Sequence, residues 1–322
     1  MNSGRVVLTG ATGFIGSAVL RELARRRAEP DAGPFPRIRV VGRRLSPHVA
    51  ALADECLPGD LTDPATLRGV CEGADVLLHL ACSLDTDESL CAAVNVQGTA
   101  ALMREAERAG IRRIVHLSTA AVYGPGPHRG ISVNEVEPDP VSPASRTRLA
   151  GEAHAVASGA TVLRPGLVVG RGDRWVVPAY AAYVQAVPAL WDGGRGLHSV
   201  VAVEDLARLI VRIGRGARLP EGSIWHAGHP DPVSTADLLD VLARHRVVPA
   251  VSGDMPWSEC VRALRAAGSG MSERNFSLLA RDHWYDSREV WRAADCIPGP
   301  GPLERISAAA SWYRGRLVRH RH

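Results

Sequence analysis

An apolar run, Arg5 to Leu8, is joined to a stretch of helical pattern, Phe14 to Arg27, by the segment Thr9-Gly10-Ala11-Thr12-Gly13-Phe14-Ile15-Gly16. Glycines at 10, 13 and 16, placed after a strand and before a helix, leave few folds open. The first permits a tight turn and the second lets the backbone approach a pyrophosphate. The third packs helix against strand, and the helix N-terminus then faces the anion. A bare glycine pattern marks only a turn; with strand and helix in place it reads as a dinucleotide site formed by Gly10, Thr12, Gly13, Phe14, Ile15 and Gly16.

Further along, apolar runs at Arg37 to Val41, Asp75 to His79 and Arg113 to Leu117 alternate with helical patterns, including an amphipathic stretch from about Asp87 to Glu107. Alternation of this kind requires crossover connections and predicts a parallel sheet covered on both faces, an α/β doubly wound (Rossmann) domain. A loop is expected at Pro30 to Pro36. After Thr161 to Leu163 the alternation weakens, and Gly, Pro and Trp become more frequent. The expected division is a dinucleotide-binding domain over 1–165 with a return segment near 200–225, and a smaller, discontinuous C-terminal substrate lobe and lid over 166–322.

All 38 basic residues are arginine. Without lysine, Schiff-base chemistry, a P-loop lysine and a lysine general base are excluded, and arginine stays protonated at any working pH. The net charge of +4 is spread along the chain with no basic stripe interleaved with aromatics, so no nucleic-acid partner is expected. Cysteines at 56, 71, 82, 91, 260 and 296 show neither C-x-x-C pairing nor metal spacing, as expected of free thiols in a reducing cytoplasm. His226 and His229 in WHAGH lack a third ligand nearby, and no metal is expected. The longest uncharged run, Trp175 to Trp191, is interrupted by prolines and short of a membrane span, and no secretory leader is read at the N-terminus. The expectation is a cytoplasmic protein with no membrane partner.

The end of the second strand bears on the cofactor. A site for NAD would place Asp or Glu there, but the residues are Val40-Val41-Gly42-Arg43-Arg44. Arg43 and Arg44 suit a 2'-phosphate and predict NADPH; the alternative is a pair of solvent-facing arginines in an arginine-rich chain.

Taken together, these segments resemble the extended short-chain dehydrogenases/reductases along nearly the whole chain. The family's motifs are matched in order by TGATGFIG, Asp60-Leu61, LHLA ending in Leu80-Ala81, NVQGT at 95–99, LSTAAVYG at 117–124, LRPGLVVG at 163–170 with Pro165, and VAVEDLA at 201–207. The resemblance implies cofactor contacts from Asp60, Leu61, Leu80, Ala81 and Pro165. It also implies catalysis by a Ser or Thr, here Thr119, with a Tyr-x-x-x-Lys pair on the next helix. That pentapeptide reads Ala144-Ser145-Arg146-Thr147-Arg148. Alanine replaces the tyrosine that would protonate a carbonyl oxygen, and arginine replaces the lysine. Arg148 can still hold a ribose and stabilise a developing alkoxide, so Thr119 and Arg148 are the expected catalytic pair. Tyr123 is a weaker candidate for the acid.

The second lobe supplies Trp175, Tyr180, Tyr183 and Trp191, then Met255 to His283 with Trp257, Met271 and Phe276. Such aromatics are often ordinary core; as a pocket they would favour a flat apolar ligand. Tyr123, Trp175, Tyr180 and Trp191 are the expected substrate contacts, and Ala267 to Met271 the hinge of a lid. The missing acid makes the chain similar to ketoreductases that act on aromatic polyketides of angucyclinone type. The expected function is therefore NADPH-dependent reduction of an aromatic ketone whose own neighbouring phenol supplies the proton. A reductase of nucleotide-linked 4-keto-6-deoxysugars and a non-catalytic NADP sensor or scaffold remain open.

Overall fold

The computed structural model describes residues 4–29, 35–217, 219–268 and 272–318. Its first half runs β1 (Arg5–Thr9), α1 (Phe14–Arg27), β2 (Arg37–Gly42), α2 (Pro47–Leu52), β3 (Glu55–Pro58), β4 (Val76–His79), α3 (Glu88–Ala92), α4 (Thr99–Arg108), β5 (Arg113–Leu117), β6 (His128–Ile131), α5 (Pro143–Ala157) and β7 (Thr161–Arg164). There follow β8 (Leu167–Val169), α6 (Val176–Ala186), β9 (Leu190–Trp191), β10 (Leu197–His198), β11 (Val200–Ala202), α7 (Val203–Gly214), β12 (Ile224–His226), β13 (Val233–Ser234) and α8 (Thr235–Arg244). The chain closes with β14 (Asp254–Met255), α9 (Trp257–Ala266), α10 (Glu273–Ala280), β15 (His283–Tyr285), α11 (Arg288–Ala293) and α12 (Pro302–Val318).

Seven parallel strands form the large sheet in the order β12-β7-β5-β4-β1-β2-β3. Its inner strands are largely apolar on both faces because both are covered. Val6 and Leu8 pack with α1 and α7 in one core cluster, while Val7 and Leu77 pack with α4 and α5 in another. The doubly wound sheet expected from the alternation is the one observed. The strand order reverses between β1 and β4, which opens a crevice at their carboxyl ends.

The amphipathic stretch expected as one helix is α3 and α4 joined by a π turn over Ala93–Gly98. The wide turn sets the Asn95 amide to accept from the Ser83 N–H and donate to the Ser83 carbonyl and the Thr147 hydroxyl, which ties the loop after β4 to α5. Gly151 packs so closely on the Asn95 carbonyl that a Cβ there would strike it.

A second sheet has the order β13-β10-β15-β6, and its core gathers Tyr180, Trp191, Phe276 and Tyr313 from α6, β9, α10 and α12. The two layers do not separate at one point in the chain. β6 leaves the first half to pair with β15, α7 returns to pack on α1, and Trp291 of α11 is buried in the first core. The stretch expected as a lid is built into the second core through Cys260, Leu264, Phe276 and Leu279 of α9 and α10. Ser269, Gly270 and Met271 of its expected hinge, and 30–34 of the expected loop at Pro30 to Pro36, lie outside the described residues. Among the described residues no helix is long and apolar enough to cross a membrane.

Candidate active site

The crevice is built around the first glycine turn. Gly10 has φ +78°, and a Cβ there would lie 2.6 Å from the Ala81 nitrogen and 2.7 Å from the Leu80 carbonyl carbon. Only glycine lets β1 and the end of β4 come together in this way. A Cβ on Gly16 would strike the Gly10 carbonyl oxygen, so α1 is drawn against the strand end. Gly13 donates to the Gly10 carbonyl at 2.9 Å and caps α1 with no side-chain hydrogen bond. The first-turn N–H groups of α1 are thus left for an anion, and Thr12 and Gly13 are exposed beside them. Phe14 and Ile15 are half-buried behind the turn. The arrangement fits a dinucleotide pyrophosphate.

At the end of β2, Arg43 and Arg44 are exposed and follow Gly42, where a carboxylate would otherwise meet a ribose. Asp60 stands close enough to Arg43 to feel its charge. Its carboxylate accepts from the Thr62 N–H (2.9 Å) and hydroxyl (2.8 Å), bonds that, with the Arg43 charge, hold it below the usual carboxylate range. Leu61 packs against Gly98 at the π turn. Pro165 is buried after β7, and its carbonyl accepts from the Ala120 N–H at 2.8 Å, fixing the turn that follows β5.

That turn carries Thr119, half-buried, whose Oγ1 accepts from the Ala121 N–H at 3.1 Å. The bond uses a lone pair and leaves the hydroxyl proton free to donate to a carbonyl. Ala144 lies in the first turn of α5, which is started by a Ser142–Ser145 capping box and Pro143. One turn on, Arg148 reaches β5, where its Nη2 donates to the carbonyls of Leu117 (3.2 Å) and Ser118. Thr119 and Arg148 are therefore brought to the same strand end, with a methyl group in the tyrosine's place.

Three of the four expected substrate contacts are placed otherwise. Tyr123 is 2% exposed; its hydroxyl donates to the Val133 carbonyl (3.1 Å), accepts from Arg164 Nη1 (2.8 Å) and lies 2.8 Å from His226 Nε2. Burial pushes its phenol up, against the opposing charge of Arg164, making it a poorer acid. Tyr180 and Trp191 are fully buried and stacked on each other, bonded to the carbonyls of Leu279 and Val187. They are core because each ring has apolar neighbours and each polar tip a backbone partner. Trp175, in contrast, is 68% exposed at the start of α6. Its loop rests on the glycine turn, since a Cβ on Gly172 would lie 2.9 Å from the Phe14 ring.

Two groups of residues were not anticipated from sequence. Asp173 is buried and accepts from the N–H groups of Trp175, Val176 and Val177 and from the Tyr313 hydroxyl (3.1 Å), which fixes the loop that presents Trp175. An aspartate just before a helix is a recognisable cap signal. Behind β5, Glu152 accepts from the Ser118 hydroxyl and pairs bidentately with Arg164, with Nη2 at 2.6 Å. The clue was Arg164, directly after the apolar run Thr161 to Leu163, because a buried charge requires a partner.

The profile of the NAD dependent epimerase/dehydratase family matches residues 6–228. Over 275 residues the chain is 28% identical to 4-hydroxy-2-methyl-3-oxo-4-farnesyl-3,4-dihydroquinoline-1-oxide ketoreductase from Stigmatella aurantiaca, covering 82% of this chain and 78% of that one. It is 27% identical over 333 residues to a dTDP-glucose 4,6-dehydratase from Streptomyces griseus, covering 96% and 93%. The crystal structure of DesIV, a dTDP-glucose 4,6-dehydratase from Streptomyces venezuelae with NAD and TYD bound, superposes with a TM-score of 0.73 at 21% identity, covering 98% of each chain. At that identity the likeness shows the fold.

Proposed function

The chain belongs to the NAD dependent epimerase/dehydratase family, and we propose that it is an NADPH-dependent ketoreductase acting on an aromatic polyketide ketone of angucyclinone type. It is an NAD(P)-dependent oxidoreductase; the choice of cofactor and substrate is our reading. The preference for NADPH is supported by Arg43 and Arg44 following Gly42, an arrangement that offers guanidinium groups and no carboxylate to the adenosine 2'-position.

The substrate class rests on Ala144. A methyl group there cannot donate a proton, and Tyr123 is committed to Val133, Arg164 and His226. The bound cofactor supplies hydride. Thr119 donates to the ketone oxygen and orients it, and Arg148, held at the same strand end, adds positive potential where negative charge collects. The proton comes from the substrate. A phenol already hydrogen-bonded to the ketone, with a pKa near ~10, yields its proton to the more basic alkoxide, and solvent later reprotonates the phenolate. Catalysis by this chain is then chiefly alignment. Trp175, exposed on the loop whose Gly172 packs against Phe14, offers a face to a flat ring system. The Stigmatella relative is also named as a ketoreductase of a ring ketone, there flanked by an aliphatic hydroxyl and not a phenol.

Methylating the substrate's phenol should abolish turnover and preserve binding; full activity on the methyl ether would refute the assignment. NADPH binding with no oxidation across a panel of aromatic ketones and a 4-keto sugar nucleotide would overturn the ketoreductase reading in favour of a non-catalytic NADP sensor.

A further inference from the structure

A cleft of about 360 Å³ opens in the second lobe beside the loop that continues from Tyr123. Its walls include Pro125, Pro127, Trp257, Arg274, Arg281 and His283. None of these belongs to the glycine turn, the end of β2 or the Thr119–Arg148 pair.

The cleft gathers positive charge that the fold itself does not use. Arg274 stands in the first turn of α10, two residues after its Ser272 cap, where the helix dipole disfavours a cation. Its Nε is buried and has no hydrogen-bond partner. Arg281, just past the end of α10, lays its guanidinium over the Trp257 ring, 4.9 Å from the centroid. Among the described residues neither arginine has a carboxylate partner, and Glu273, the acidic group in the wall, is already paired with Arg265 at 2.8 Å. Both ring nitrogens of His283 face carbonyl oxygens, of Arg281 at 3.0 Å and Pro125 at 2.7 Å, which fixes the ring in the cleft wall.

The remaining walls are apolar. Trp257 is stacked on Phe276 at 5.3 Å, carries the Arg281 guanidinium over its ring, and lines the space together with the two prolines. We propose that this cleft binds a small organic carboxylate with an aromatic body, its oxygens held between Arg274 and Arg281 and its ring against Trp257 and the prolines. A planar carboxylate matches the guanidinium fork, and the apolar walls favour an aromatic acid over an inorganic oxyanion.

Benzoate is the probe, titrated into the full chain by calorimetry, with inorganic phosphate as the comparison. Benzoate should bind saturably at one site, and Arg274→Gln and Arg281→Gln should each weaken it by about tenfold or more while NADPH affinity is unchanged. Phosphate should bind more weakly than benzoate. Absence of saturable benzoate binding, wild-type affinity in both folded variants, or phosphate binding as tight as benzoate would overturn the proposal.

Discussion

Glu152 of α5 and Arg164 of β7 form a bidentate ion pair that is almost completely shielded from solvent, and Glu152 also holds the hydroxyl of Ser118, the residue before Thr119. Removing one member leaves the other charged and buried. Glu152→Ala should cost about 3–5 kcal/mol of stability, far more than loss of an exposed pair. Urea denaturation of the variant checks this, and a loss below ~1 kcal/mol would contradict the burial argument.

Tyr123→Phe separates structure from chemistry. The variant loses the oxygen that Arg164 and His226 share and should be destabilised by about 1–3 kcal/mol, yet retain most of its activity. Complete loss of turnover in a folded Tyr123→Phe protein would assign the proton to a protein acid.

The arginine pair after β2 gives a cofactor test. Replacing both Arg43 and Arg44 by alanine should weaken NADPH by about tenfold or more, because charge-assisted contacts to a phosphate are lost, and leave NADH nearly unchanged. Dissociation constants for both cofactors, measured by fluorescence, decide it; equal losses would assign the arginines to solvent.

Buried histidines make stability depend on pH. Burial holds His79 and His226 at about 4 and His198 at about 3, below their ordinary value of 6.5. In the native state all three are neutral at pH 7, while the unfolded chain takes up protons below about 6.5. Their contribution is therefore fully present above that pH and is lost as the pH falls toward 4, by about 1.4 kcal/mol per pH unit for each histidine. The urea midpoint should drop between pH 7 and pH 5, and less steeply in His226→Asn; a flat profile would show that these rings do not govern acid sensitivity.

Trp175 is exposed, so Trp175→Ala should leave thermal stability nearly intact. If its face meets a flat substrate, KM should rise up to about tenfold, with kcat less affected. An unchanged KM would remove Trp175 from the site.

Much of the large sheet was legible because its strands are continuous apolar runs and its first turn requires glycine. Arg113–Leu117 and Phe14–Arg27 have the bounds read from the residues. β3 was not read, since Glu55–Pro58 is short, carries a charge and a proline, and pairs only with β2 at the sheet's edge. The π turn was invisible, because a single widened turn leaves the amphipathic pattern almost unchanged. Ala144 could be placed by counting from Ser142-Pro143, but the burial of Tyr180 and Trp191 could not, because an aromatic residue looks the same in sequence whether it faces a ligand or a core. The Glu152–Arg164 pair joins residues only 12 positions apart; what sequence lacks is the shared interior of α5 and β7 that makes them neighbours.

The lacing of the two layers has a consequence for how the chain acquires its shape during synthesis. The glycine turn and the first six strands of the large sheet emerge early, yet the sheet's last strand, the helix that covers α1, and the indole of Trp291 are made later. β6 must likewise wait for β15, more than 150 residues downstream. Contacts so distant in sequence form slowly, and an incomplete chain would expose the apolar face meant for α7. The early half is therefore a dependent of the late half, and the sheet that carries its cofactor cleft is closed only after β12 has left the ribosome.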